Sequence, residues 1–188
     1  MFTKTLVRLA EEKKAKVTYG SATKLNYRED QKGIKSVSYV HEKEKHELAA
    51  TDVIIAAGPW TPKIIPSIQL QTPRGHSVVV RPTRDLSPHV LFPTIRPPEN
   101  GSLENIFSPE MNPRPSDGLH DFETLYTCGP DDYEVSLPAT SDDVAVDMQK
   151  CEDVWTAVKS VSGIIHDGEI LTKQACYKPQ IRKHEEDE

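Results

Sequence analysis

The chain has 188 residues, enough for one ordinary domain or one and a half small ones. With 23 basic residues against 29 acidic ones the net charge is -6, which argues against the concentrated basic face of a nucleic-acid module. No apolar run approaches the ~18–20 residues of a membrane span. The N-terminus does not open into the apolar stretch of a secretory signal. The three cysteines, Cys128, Cys151 and Cys176, are too few for a disulfide framework, and a reducing, cytoplasmic setting is expected. The nine glycines never lie closer than five positions, so neither a G-x-G-x-x-G dinucleotide turn nor a P-loop is present in this sequence.

Residues 2–15 are predicted to form a helix, because Phe2, Leu6, Leu9 and Ala10 make one apolar stripe opposite Arg8, Glu11, Glu12, Lys13 and Lys14. Residues 17–19 and 22–27 predict short strands around Gly20-Ser21, and residues 34–40 alternate as a half-buried strand. Residues 42–47 predict a charged hairpin tip. The run Val53-Ile54-Ile55 ending in Ala56-Ala57-Gly58 predicts a buried strand leading to a tight turn, with one helical turn over residues 61–65 started by Pro62.

Residues 76–81 predict another strand. Eight of the fifteen prolines fall between Pro82 and Gly118, which predicts loops with short edge strands around residues 90–92 and 105–107. A strand over residues 121–128 is expected to close at Gly129-Pro130. The longest predicted helix covers residues 142–162, with Ser141 as its N-cap, Met148, Cys151, Val154, Trp155, Val158 and Val161 as its stripe, and Gly163 as its stop. A last strand spans residues 169–177, followed by a polar tail. The order predicts an α/β portion followed by a mostly antiparallel α+β portion.

Two segments carry possible chemistry. Residues 53–60 are on spacing equally a core strand with its turn, or a bend whose missing side chains let a flat ligand approach main chain. In Gln174-Ala175-Cys176-Tyr177-Lys178-Pro179, Cys176 is a small buried hydrophobe by default and Lys178 an exposed strand-end lysine. His41-Glu42-Lys43-Glu44-Lys45-His46 has one residue too many for H-E-x-x-H and sits in a strand–turn context, so a solvated hairpin tip is expected rather than a metal site. Asn100-Gly101-Ser102 is a glycosylation sequon by pattern alone, and no Ser-His-Asp arrangement stands out.

The apolar run ending in Ala56-Ala57-Gly58-Pro59-Trp60 resembles the strand beside the adenosine of FAD in the D-amino-acid oxidase superfamily of FAD-dependent oxidoreductases. The helix and the stretch from Val17 to Leu25 upstream fit it too. Downstream, Pro73-Arg74-Gly75-His76-Ser77-Val78 is similar to that superfamily's entry into the substrate domain, with His76 in place of Gln. The whole order most resembles a fungal group of such oxidoreductases. The resemblance implies backbone contact to the cofactor at Ala22, close approach at Ala57 and Gly58, and Trp60 beside them. It implies that Lys178 stands where an Arg clamps the substrate carboxylate, as a point charge rather than a fork. It implies that Cys176 stands where relatives attach flavin covalently.

The resemblance further implies a partial FAD-binding, Rossmann-like domain with an antiparallel-sheet substrate domain. Residues 1–72 would belong to the first and residues 73–168 to the second, with residues 169–188 returning toward the FAD-binding domain. The superfamily's G-x-G-x-x-G turn and Gly-rich flavin segment are not in this sequence, so the chain resembles the middle of such a protein. It is expected to hold FAD weakly or not at all and to be inactive by itself. The lineage is expected to oxidise a small amine or amino acid by hydride transfer to flavin, with no nucleic acid or membrane span involved. The alternative is a non-catalytic interaction or trafficking protein on the same scaffold.

Overall fold

The computed structural model describes residues 2–30, 32–96, 107–116 and 122–181. The sequon at Asn100, the start of the expected edge strand at Asn105, Asp121 and the acidic tail from residue 182 lie outside the described residues. The chain divides into two compact units, Met1–Leu70 with Ile181–Glu188, and Gln71–Gln180.

The first unit opens with helix α1 (Phe2–Glu12), braced by an Arg8–Glu12 ion pair at 2.7 Å. It stops short of residue 15 because Lys14 takes a left-handed conformation, φ 71°. None of its side chains is buried, and Phe2 is 77% exposed. Residues 17–19, expected as a strand, carry no ladder, since no neighbouring strand among the described residues pairs with them. Strands β1 (Ser21–Tyr27), β2 (Ile34–His41) and β3 (Glu44–Ala49) then form an antiparallel meander in that order.

The expected six-residue hairpin tip is in fact a two-residue turn, Glu42-Lys43, with φ of 50° and 70°, and residues 44–47 pair in β3. Positive φ at both positions is the geometry that favours Asn-Gly. Replacing Glu42-Lys43 by Asn-Gly is therefore expected to stabilise this sheet by about 1 kcal/mol, read as a raised denaturation midpoint.

Residues 53–57 are not the buried strand that their apolar run predicts. They pair with no strand among the described residues, and Ile54 is 96% exposed. β-branched residues favour a strand only where a ladder and facing side chains receive them. The helical turn lies earlier than residues 61–65, as a 3-10 helix over Gly58–Lys63 with Pro59 in its first turn. A two-residue strand, β4 (Leu70–Gln71), follows.

The second unit is built on four antiparallel strands, β5 (Arg74–Arg81), β6 (Glu110–Arg114), β7 (Thr124–Asp132) and β8 (Glu169–Tyr177), in the order β6-β7-β5-β8. β8 has the expected span. β6 was hidden by its Pro113, which is tolerated because the strand lies at the edge. Among the described residues of the expected edge strands, Leu91 makes a single bridge with Met111, and Phe107 one with Ile95. β7 does not close at Gly129-Pro130. It runs on to Asp132, and the two residues form a bulge where the pairing slips from Ser77–Cys128 to Gly75–Asp131.

The helix expected over residues 142–162 breaks into a 3-10 turn and a shorter α-helix, and a further short helix begins just after it. Thr140 and Asp143 close a capping box on a 3-10 turn (Ser141–Asp143), so Ser141 caps nothing. Asp147 caps α2 (Met148–Lys159), accepting from the N–H groups of Gln149 and Lys150. Ser162 caps α3 (Gly163–His166), which makes Gly163 the first helical residue rather than a stop. Strand β9 (Gln180–Ile181) follows β8.

α2 lies on one face of the sheet and buries Cys151, Val154, Ala157 and Val158 against Val78, Val80, Met111 and Leu125. This core leaves the opposite sheet face without a helix among the described residues. The result is a mixed α/β chain whose larger sheets are antiparallel throughout.

Candidate functional site

Strand register assigns the two faces of the four-stranded sheet. Side chains alternate along a strand, and directly paired residues share a face. Val78 pairs with Thr127 and Lys173, and Val80 with Leu125, which puts these on the helix side. The other face then carries Gly75, Ser77 and Val79 of β5, Tyr126 and Cys128 of β7, Gln174 and Cys176 of β8, and Glu110, Asn112 and Arg114 of β6. This open face carries the titratable Tyr126, Cys128, Cys176, Glu110 and Arg114, whereas the covered face packs Val78, Val80, Met111 and Leu125 beside the polar Thr127 and Lys173.

Its centre is held by side-chain contacts. Tyr126 bonds to the Ser77 hydroxyl, and the Arg114 guanidinium stacks 4.1 Å from the Tyr126 ring centroid. Burial, opposed by the Ser77 bond, raises the Tyr126 phenol above its usual range, so it is a proton donor at neutral pH. The Cys128 thiol donates to Glu110 Oε2 at 3.7 Å. Burial, and then the Glu110 carboxylate, push this thiol up, which keeps it protonated rather than nucleophilic.

Lys178 follows β8 and is anchored by its own N–H to Pro73 O at 2.9 Å. Its Nζ donates to Asp131 Oδ1 at 2.6 Å, and Gln180 Nε2 donates to the other oxygen, Oδ2, at 2.9 Å. Burial alone would lower the Lys178 pKa. The hydrogen bond and charge of Asp131 outweigh it, so the ammonium titrates above its ordinary value. Gly75 is small because this side chain crosses it: a Cβ there would lie 3.0 Å from Lys178 Cε. Lys178 is thus a fixed, paired cation rather than a free strand-end lysine. Cys176 is exposed rather than a small buried hydrophobe.

The residues expected at the cofactor lie in the first unit. Ala57 is the residue before the 3-10 helix, Gly58 and Trp60 are in it, and Trp60 N–H closes onto Ala57 O at 3.1 Å. Gly58 has φ 52°, and a Cβ built there would meet nothing within 4 Å, so no neighbour fills the bend. Ala22 is exposed on β1, an edge strand, where the pairing slips between Ala22 and Lys24. Bare main chain at an open bend and at a sheet edge fits the flat adenosine end of FAD. Cys176 and Lys178 belong to the second unit, so the structure groups the expected site residues into two sets.

Sequence reasoning missed Asp131, Gln180, Ser77 and Glu110. The alternation of Tyr126 and Cys128 around Thr127 could have placed those two on one face. Asp131 lies 47 residues from Lys178, and nothing local joins them.

His76, the departure from the superfamily's Gln, does not face this site. It is 2% exposed on the helix side, and its Nε2 accepts the Asp147 N–H at 3.1 Å. Burial, then the Arg74 charge, depress its pKa below 6.5. The folded unit therefore binds fewer protons than the unfolded chain, and stability should fall as pH drops below about 6.5. His76→Gln keeps an acceptor for Asp147 and is expected to remove that part of the slope. Denaturation midpoints on either side of pH 6.5 measure it.

The second unit thus offers an antiparallel sheet with one helix-covered face, and the first unit offers a bend at Gly58 that no neighbour fills. Residues 1–186 match the DAO family, described as FAD dependent oxidoreductase, and the chain belongs to that family. It is 32% identical over 130 residues to "Putative oxidoreductase TDA3" of Saccharomyces cerevisiae, a match covering 69% of this chain and 23% of that protein. It is 34% identical over 134 residues to "Putative oxidoreductase C1F5.03c" of Schizosaccharomyces pombe, covering 71% of this chain and 32% of that protein. The chain thus spans about a quarter to a third of the length of the curated relatives it matches. Among the described residues no helix is long and apolar enough to cross a membrane.

Proposed function

We propose that this chain provides the adenosine-facing bend and the substrate-facing sheet of an FAD-dependent oxidoreductase that oxidises a small amine or amino acid in the cytoplasm. The observation that carries it is the open sheet face, where Tyr126 and the anchored Lys178 offer donors beside uncovered strand positions. Ala22, Ala57, Gly58 and Trp60 would hold the adenosine end in a Rossmann-like domain. FAD, when bound, would accept a hydride from the carbon bearing nitrogen.

The chain's own residues bind and orient. Lys178 has three donor hydrogens, and Asp131 takes one, so an anionic substrate group can accept another without displacing the pair. Asp131 and Gln180 fix where that ammonium points. Tyr126, protonated at neutral pH, can donate to a substrate oxygen. Cys176 lies on the same face, where a flavin bonded to its sulfur would stay with the polypeptide after denaturation.

The test is to purify this chain and the product of its gene's full coding region, then follow flavin absorbance under anaerobic titration with amines and amino acids. Bleaching by either class supports the proposal. A product that purifies without flavin sinks it and favours a non-catalytic scaffold. Retained flavin that no amine or amino acid bleaches removes the substrate assignment while leaving the cofactor. Lys178→Met is expected to raise KM for carboxylate-bearing substrates by about tenfold or more while leaving neutral amines nearly unchanged, the loss of one charge-assisted hydrogen bond.

A further inference from the structure

On the helix side of the sheet, behind the face that carries Tyr126 and Cys176, the second unit holds a cavity of about 380 Å³. Met111 and Leu125, each 1% exposed, line it together with Leu91 and Ile165. One wall is the segment from Leu86 to Leu91, and this segment is fastened at both ends. Thr83 N–H donates to Ile164 O at 3.1 Å, Leu86 N–H donates to Glu123 Oε2 at 3.2 Å, and Leu91 and Met111 exchange two backbone bonds at 2.9 Å. These bonds fix the segment beside Met111, and with Ser87, His89 and Leu91 exposed the space opens to solvent on that side.

Polar groups are few. Ser87 Oγ pairs with His89 Nδ1, which leaves the second ring nitrogen of His89 unused by that pair. Ser162 Oγ accepts the Ile164 N–H at 3.2 Å and keeps its own hydrogen to donate. A volume of this order, apolar walls and a few hydrogen-bonding groups are the attributes of a small-molecule site.

We infer that this cavity binds a small aromatic molecule with a single hydrogen-bonding end group. The ring lies against Met111 and Leu125, and the end group meets the Ser162 hydroxyl or the His89 ring. The site is separate from the open sheet face, so its occupation is independent of any flavin or substrate there. A ligand held between the sheet and the α2–α3 corner stabilises the second unit by mass action.

Benzyl alcohol is the probe, and methionine methyl groups labelled for NMR are the readout. The chain has three methionines, Met1, Met111 and Met148, and Met148 is 56% exposed on α2. The Met111 methyl is expected to shift saturably on titration while the other two do not. Toluene, lacking the hydroxyl, should bind about fivefold more weakly, the equivalent of one hydrogen bond. His89→Ala should narrow that difference.

Val161→Trp, at a position 39% exposed in the cavity lining, should fill the space and abolish the Met111 shift without lowering the melting temperature. Ser87→Trp, from the opposite wall, serves the same purpose if the first variant does not fold. The inference fails if Met111 shows no saturable shift, if Met148 moves in parallel with it, or if a folded Trp variant responds as the parent does.

Discussion

Replacing Asp132 by asparagine is expected to lower the unfolding free energy of the second unit by about 3–5 kcal/mol, measured by chemical denaturation at neutral pH. The Asp132 side chain is 2% exposed and accepts Arg74 Nη2 at 2.9 Å, with Lys150 Nζ at 3.2 Å and the Glu134 N–H at 3.1 Å. Arg74 is itself buried and reaches Ala145 O at 3.0 Å, so removing the carboxylate strands a guanidinium away from water. Burial alone would push the Asp132 carboxyl up. The bonds from Arg74, Glu134 and Lys150 outweigh it and hold the group at about 2, below the ordinary 3.8. A depressed carboxyl contributes stability that is fully present above the unfolded value and lost as pH falls toward the folded one. That contribution is roughly 2 kcal/mol, draining away between about pH 4 and pH 2.

The asparagine variant costs more than this because the buried Arg74 also loses its partner. Arg74→Met combined with Asp132→Leu should recover at least half of the loss, since two apolar groups leave no uncompensated charge. If the double variant is as unstable as the single one, the pair is not the source of the effect.

This ion pair shows where the sequence stops being legible. Arg74 and Asp132 are 58 positions apart, and each looks like an ordinary surface residue beside a glycine or an aspartate. What could be read was local. β2 and β8 declared themselves by composition and alternation, and their expected spans agree with those observed to within a residue. The helix over residues 142–162 failed because its stripe, from Met148 to Val161, runs on past the end of α2 at Lys159, and three competing caps, Thr140, Asp147 and Ser162, decide where helix begins.

Residues 53–57 failed for a different reason. A strand is a relation between segments, and its apolar run says nothing about whether a neighbour is at hand. For the site, the resemblance supplied Cys176 and Lys178, whereas the Asp131 clamp and the Tyr126–Ser77 bond come from register across β5, β7 and β8. A bulge at Gly129-Pro130 sets that register, and the dipeptide by itself reads as a stop.

Substitutions at two glycines should separate packing from cofactor binding. At Gly129 a Cβ would lie 2.6 Å from Val154 Cγ2 and 2.9 Å from Phe107 Cζ, so Gly129→Ala overfills the core under α2 and should cost about 1–3 kcal/mol. At Gly58 the surroundings are empty, and only the left-handed backbone, φ 52°, resists a side chain, at about 1–2 kcal/mol. Gly58→Phe therefore leaves most of the fold in place while putting a ring over the main chain that the adenosine is proposed to approach.

In the product of the full coding region, flavin retained per polypeptide after purification is expected to fall about tenfold or more for Gly58→Phe, and hardly at all for a folded Gly129→Ala. A tenfold loss corresponds to only about 1.4 kcal/mol of binding, less than a ring-sized steric conflict exerts. Gly58→Asn tolerates the same backbone with a smaller side chain and should lie between the two. Should Gly58→Phe retain flavin as the parent does, the bend does not face the cofactor, and Ala22, Ala57 and Trp60 lose their assigned role with it.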